Sequence, residues 1–274
     1  MTFNPFNMTG TPFLILYGVL LMVTIIAGIA IPRWLRTEGR RQPIDDPDQL
    51  AVLCGGRARF ADSLVTRLLT RGDLSMIGKN SFGAKPSARG ATAAEMSVLS
   101  LAAPIQWSAI IRRLPDYAEP IEAKLVALGL WIDDGEKAGT RFWQTLPYMM
   151  LIAFGSIKLL VGEARHKPVG FLTGLLIVTV ILAAIRFFAI DRRTAAGVDV
   201  VDAAKRQHQR LKIAPTTDEA ALGVALFGTT VLAGSSFAAF HQMRAASGSS
   251  GGDSGGSSDG GSGCGGGGCG GCGG

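Results

Sequence analysis

Histidine is scarce in this sequence. The three that occur, His166, His208 and His241, lie far apart. No HExxH, GxSxG, Walker or GxGxxG element stands in a suitable context. Without a nucleophile paired to a base, the chain is read as not being an enzyme. Cysteine is almost as rare: Cys54 stands alone, and Cys264, Cys269 and Cys272 crowd the C-terminal end. That distribution excludes a disulfide framework. Charge is sparse too, 18% of residues against 47% hydrophobic, which excludes an ordinary soluble domain of this length. The apolar surplus comes in blocks.

The first block is 13–31, nineteen residues without a charge and long enough to cross about 30 Å of hydrocarbon. Arg33, Arg36, Arg40 and Arg41 follow it. A cleavable signal peptide carries its positive charge before the apolar run, so this is read as an anchor. The positive-inside rule then puts residues 1–12 outside and Arg33 onward in the cytoplasm. A second span covers 142–162, with Phe142, Trp143 and Tyr148 at its inner interface and Lys158 near the far end, where it can snorkel. A third covers 169–190, with Arg186 close to its inner end. Beyond it, 194–212 has the spacing of an amphipathic helix on the inner leaflet, with Val198, Val201, Ala204, His208 and Leu211 on one face. The stretch 220–240 has 21 residues without a charge but is diluted by Gly, Ser and Thr. It is either a fourth span or a small-residue helix packed on other helices or the inner face.

Residues 43–140 read as a cytoplasmic domain. Asp45, Asp46 and Asp48 precede an apolar run, as at a helix N-terminus. Phe60, Leu64, Val65, Leu68 and Leu69 form one helical face, with Arg57, Arg59, Arg67 and Arg71 off it as a solvated face. Gly72 reads as the residue just past the helix, and LSMIGKNSFGAKP as two short strands around a turn. Two helices and a β wing resemble a winged-helix unit. The pattern recurs 57 residues later: Leu53 maps to Ile110, Phe60 to Tyr117, Leu64 to Ile121, Leu68 to Leu125, Gly72 to Gly129 and Leu74 to Trp131. That register predicts a tandem winged-helix-like pair. Its second unit has helices near 105–114 and 117–128, a strand at 130–132 and the turn DDGEKAG; a helix at about 92–103 joins the two. The expected fold class is therefore mainly α: a helical membrane protein with a cytoplasmic tandem winged-helix-like domain and a disordered tail.

Winged helices often bind DNA, but residues 43–140 hold 11 Lys and Arg against 12 Asp and Glu. A DNA-binding face needs phosphate-neutralising charge, so no nucleic acid partner is expected. The formal charge of +6 belongs to the inner flanks of the spans. Arg112 and Arg113 read as solvated, and Cys54, with no histidine near it in sequence, as a packed thiol.

The last 28 residues, 247–274, are 16 Gly, 7 Ser, 2 Asp and 3 Cys. With almost no apolar area to bury, they are expected to form a disordered tail with a reach of roughly 30 Å. The spacing Cys264-x4-Cys269-x2-Cys272 coincides with three ligands of plant-type [2Fe–2S] ferredoxins. The fourth cysteine is missing and glycine supplies no shell to orient the sulfurs. The three thiols are candidate ligands for transient Cu(I) or Zn; alternatively they are sites of modification, since flanking glycines leave the backbone open to a modifying enzyme.

The opening FNPFNMTGTPFLILY, the segment LAVLCGGRARFADSLVTRLLTRG, the segment ALGVALFG and the end GGGGCGGCGG together resemble the "near-uncomplex" family. These are bacterial membrane proteins of uncharacterised function with Gly/Ser/Cys-rich low-complexity tails, and the resemblance covers nearly the whole chain. It implies a neighbourhood of multinuclear non-haem iron enzymes that oxidise peptide cysteines, with Cys264, Cys269 and Cys272 as targets. The expected protein sits in the bacterial inner membrane as a multi-pass chain and offers its tail for cysteine modification or metal binding. The alternative is a membrane-tethered sensor or interaction module acting through 43–140.

Overall fold

The computed structural model describes residues 10–34, 37–40, 42–164, 170–188 and 191–248. They are mainly helical and fall into two packed bodies, a three-helix bundle and a mixed domain, each with its own apolar core.

The bundle is made of α1 (Gly10–Trp34), α6 (Asp134–Ala164) and α7 (Gly170–Phe188). All three are long and apolar enough to cross a membrane. Phe13, Tyr17 and Leu21 of α1 pack against Leu151 of α6 and Leu172 of α7. Helix direction follows from these contacts. Phe13 meets Phe154 with ring centroids 5.6 Å apart, while a Cβ on Gly28 would lie 2.7 Å from the Tyr148 hydroxyl, so α1 and α6 run antiparallel. Tyr17 shares a 3.1 Å hydrogen bond with Thr179, and the Arg186 guanidinium donates to the Gly28 carbonyl, so α1 and α7 run parallel. The end of α1, the start of α6 and the end of α7 therefore share one end of the bundle.

The domain is built on α2 (Pro47–Thr70), which Asp46 caps by accepting the Asp48 amide. The helix bends at Gly55 and Gly56, which leave helical geometry. It ends with the Gly72 amide bonded to the Leu69 carbonyl and the Asp73 amide to the Leu68 carbonyl. An antiparallel hairpin follows, β1 (Leu74–Met76) and β2 (Ser81–Ala84), as the sequence pattern predicts. Then come α3 (Ala93–Leu99), β3 (Ile105–Gln106), α4 (Trp107–Arg113) and α5 (Pro115–Ala127). β3 adds to β2, giving a sheet of order β1-β2-β3 with Phe82 opposite Ile105. The joining helix is shorter than the 92–103 expected and stops at Leu99.

The 57-residue register holds at the end of α5. The Gly129 amide bonds to the Val126 carbonyl and the Leu130 amide to the Leu125 carbonyl, and Gly72 and Gly129 have φ of +73° and +71°. Both are helix stops that use glycine's freedom in the left-handed region. Past the stop the units diverge. The second wing does not form: Trp131 makes a single antiparallel bridge with Arg193, and the expected turn DDGEKAG is absorbed into the first turns of α6. The sequence from Asp133 runs straight into the long apolar helix, so no second strand is available to pair.

The domain also extends beyond 43–140. Helix α8 (Ala195–Gln207) starts on a Thr194 cap that accepts the Gly197 amide. It buries Ala196, Gly197 and Val201 in the same core as Leu53 and Leu64. The amphipathic face expected at 194–212 is thus turned onto protein, and the helix passes into a short 3₁₀ turn at Gln209–Lys212.

The stretch 220–240 is not one helix. It divides into α9 (Ala220–Phe227), a 3₁₀ turn at Thr229–Leu232 and the start of α10 (Ala238–Gly248). The break lies at Gly228, with φ +89° and ψ 177°, a conformation only glycine adopts freely. Val224 and Ala225 are 0% exposed and Leu226 is 2% exposed, and α9 lies along α2, where the Ser63 hydroxyl donates to the Ala221 carbonyl at 3.0 Å. An eight-residue helix rises about 12 Å, far short of the roughly 30 Å of a bilayer core. Ala220, Val224, Ala225, Leu232 and Phe240 of this run are part of the domain core.

Candidate functional site

Cys264, Cys269 and Cys272 lie outside the described residues. The described chain stops at Gly248, the last residue of α10. What can be built from residues upward is the part of the domain that holds that exit.

α10 is held along one face. Phe240, fully buried, meets Phe82 and Trp107 edge-on at centroid distances of 6.1 and 5.7 Å. Arg244 donates from Nε to Asp62 at 2.6 Å, and its guanidinium stands 4.7 Å from the Trp107 ring centroid. Asp62 belongs to α2 and is only 7% exposed. Desolvated, charge-assisted pairs of this kind are stronger than surface ones, so α10 is tied at Arg244 to the central helix. His241 is engaged as well, its Nδ1 lying 3.1 Å from the Thr229 hydroxyl.

The arginines of α2 are not the solvated face that their position off the apolar stripe suggests. Arg57 pairs with Glu122 of α5 at 2.7 Å, and Arg192 reaches the same carboxylate at 3.4 Å. Arg59 donates to the Val224 carbonyl at 3.2 Å, a cation at the negative end of α9. Arg67 bridges Asp48 and Glu95, and Arg71 pairs with Glu95 and Asp73. Arg113 donates to the Ser97 hydroxyl at 2.9 Å, while Arg112 is exposed as expected.

Glu95 is the most enclosed of these acids, with a side chain 0% exposed. Burial pushes its carboxyl upward. The Arg71 hydrogen bond, the Ala91 amide and the charges of Arg67 and Arg71 outweigh that and hold it below the usual carboxylate range. Asp62, Glu95 and Glu122 carry no motif, and a reading by hydrophobic stripe passes over them. One signal was available: Thr92-x-x-Glu95 has the capping-box spacing, and the Thr92 hydroxyl does accept the Glu95 amide. The Glu95 carboxylate turns instead to Ala91 and the arginines.

Cys54 is a half-buried free thiol. Burial pushes it up, and nearby Lys205, Arg59 and Arg193 offset only part of that. A thiol held protonated is a poor nucleophile, in keeping with a packing role. Among the described residues no group of three or more His, Cys, Asp or Glu could hold a metal ion. Lys158 stands 4.8 Å from the Phe13 ring centroid at the bundle end remote from the domain.

No family model, curated protein or solved structure matches this chain.

Proposed function

We propose that the protein is a multi-pass protein of the bacterial inner membrane that presents its Gly/Ser/Cys segment beside a membrane-bound domain. There Cys264, Cys269 and Cys272 serve as substrates for cysteine modification or as ligands for transient Cu(I) or Zn. The observation that supports this most is the fate of 220–240. Because α9 folds into the domain core, the chain after Gly248 leaves from the domain end of the bundle. The exit is held by Arg244 and Phe240 rather than by a fourth span. In the sequence Arg33, Arg36 and Arg40 come at or after the end of the first apolar run and Arg192 and Arg193 after the third, which by the positive-inside rule makes the domain side cytoplasmic and the N-terminus external. A Gly-rich chain of the 16 to 24 residues from Gly248 to the cysteines spans roughly 20–30 Å, so the thiols stay near the domain. The bent helix α2 and the hairpin at 47–84 support a winged-helix-like docking unit. The modifying partner implied by the family resemblance is a cytoplasmic iron enzyme.

Two measurements test this. Intact-protein mass spectrometry from a native host should show mass added to or oxidation at the tail cysteines; unmodified, metal-free thiols under every growth condition would defeat the reading. A membrane-impermeant maleimide should leave Cys264, Cys269 and Cys272 unlabelled in intact cells and label them after permeabilisation.

A further inference from the structure

Among the described residues several arginines of the domain find carboxylates, Arg57 and Arg192 on Glu122, Arg67 and Arg71 on Glu95, Arg193 on Asp191, and Arg244 on Asp62, while Arg59 and Arg113 donate to the Val224 carbonyl and the Ser97 hydroxyl. Arg141 and Arg186 differ. Each belongs to the bundle at its domain end, on α6 and α7, and no carboxylate among the described residues pairs with either. In both, Nε is enclosed and donates to nothing described. The Arg141 guanidinium lies 5.4 Å from the Phe187 ring centroid. Arg186 spends one donor on the Gly28 carbonyl, and its own carbonyl accepts the Gln144 amide at 2.8 Å. The two cations are therefore level with each other on neighbouring helices. Around them lie rings with more than half of their surface uncovered: Phe142 at 63% exposed, Trp143 at 54% and Phe188 at 77%.

An unmatched cation at the edge of an apolar surface needs an anion, because a partly desolvated charge without a partner is costly. The rings flanking it fit the boundary where headgroup meets acyl chain. The anion that reaches that depth beside exposed aromatic rings is the phosphate of a membrane lipid with net negative charge. Arginine's planar fork binds phosphate with two donors. We infer that Arg141 and Arg186 form a binding site for the headgroup phosphate of an anionic glycerophospholipid at the domain end of the bundle. This rests on the bundle lying in a bilayer.

The full-length protein, reconstituted in bilayers of phosphatidylcholine with one fifth phosphatidylglycerol, tests it. Bromine on the acyl chains of one lipid or the other quenches nearby tryptophan, here Trp143. At equal bromolipid fraction, brominated phosphatidylglycerol should act as though enriched about five-fold around the protein per engaged arginine. Arg141→Gln should lower that enrichment about five-fold and Arg141→Lys should restore part of it. Arg186→Gln should act in the same direction. Arg210→Gln, which removes the same charge from the domain, should leave it unchanged. Equal quenching by both brominated lipids in the unaltered protein would overturn the site while leaving membrane insertion intact. An Arg210→Gln loss as large as that of Arg141→Gln would also overturn it, since generic surface charge then accounts for the preference. Failure to float with vesicles of phosphatidylcholine alone would overturn both the insertion and the site.

Discussion

Helix α7 and the stretch 220–240 are both charge-free but for Arg186, are similar in length and are dominated by aliphatic residues, yet they end in opposite environments. In α7 most apolar side chains face outward: Phe171 is 84% exposed and Ile177 54%, while Leu172 and Ala183 are buried. In 220–240 the chain breaks at Gly228, and Val224 and Ala225 vanish into a protein core. The difference lies in continuity and in what surrounds the run. α7 keeps an unbroken ladder of backbone hydrogen bonds across 19 residues, the condition for crossing hydrocarbon. The other stretch breaks at Gly228 and turns through Thr229–Leu232 before α10, and α9 packs inside a domain. Hydropathy alone does not separate the two.

The sharpest way to break this comparison is to place a charge on α9. Val224→Lys would bury an ammonium in the apolar core that also holds Leu53, Leu64 and Phe60. The cost is several kcal/mol, so the domain should lose its cooperative urea transition, followed by tryptophan fluorescence of the full chain in micelles. Ile177→Ala on α7 is the counterpart. It trims a side chain that touches little protein, and should change the same transition by less than about 0.5 kcal/mol. A transition that survives Val224→Lys would mean that α9 is not core.

Glu95→Gln comes next. It leaves the Arg67 and Arg71 guanidiniums facing a neutral amide and should cost about 3 kcal/mol, read as a lower urea midpoint. The pH dependence carries the same information. The Glu95 carboxyl is held below its usual range in the fold, so the unfolded chain binds its proton first as pH falls. Its stabilisation is therefore complete above the ordinary carboxylate range and lost as pH drops through the lower folded value. The urea midpoint should fall on acidification in the unaltered protein, and less steeply in Glu95→Gln. An equal slope in both would remove Glu95 from the account.

Local pattern made much of this legible. The three long helices announce themselves as uninterrupted apolar runs, and the stops at Gly72 and Gly129 keep register because the same hydrogen-bonded turn ends both α2 and α5. What local pattern does not carry is which distant piece covers which face. Nothing near Arg59 in sequence says that its partner is a carbonyl at Val224, or that Asp62 waits for Arg244. Those pairings close loops of more than 150 residues through the bundle. The second wing failed for a related reason: pairing it would need a strand where the chain is already committed to α6. Three arginines on one helix and a fourth at its cap, with acids scattered elsewhere, were a hint of buried pairing, but a wet helix face has the same composition.

Apart from the near-silent control at Ile177, the smallest effect belongs to Gly228, and it tests the break itself. Alanine there must adopt φ +89°, which costs about 1–2 kcal/mol. Its Cβ would also stand 2.7 Å from Arg59 Nη1. That guanidinium is the mobile end of a long side chain and can yield, giving up its bond to the Val224 carbonyl. Gly228→Ala should therefore lower domain stability by about 2 kcal/mol while leaving the chain inserted and its cysteines on the same side. If 220–240 were instead a continuous span, the same change would favour helix by about 1 kcal/mol. It would then raise stability, and the tail thiols would react with an impermeant maleimide from outside. The sign of the change at this one glycine separates a folded core segment from a fourth crossing.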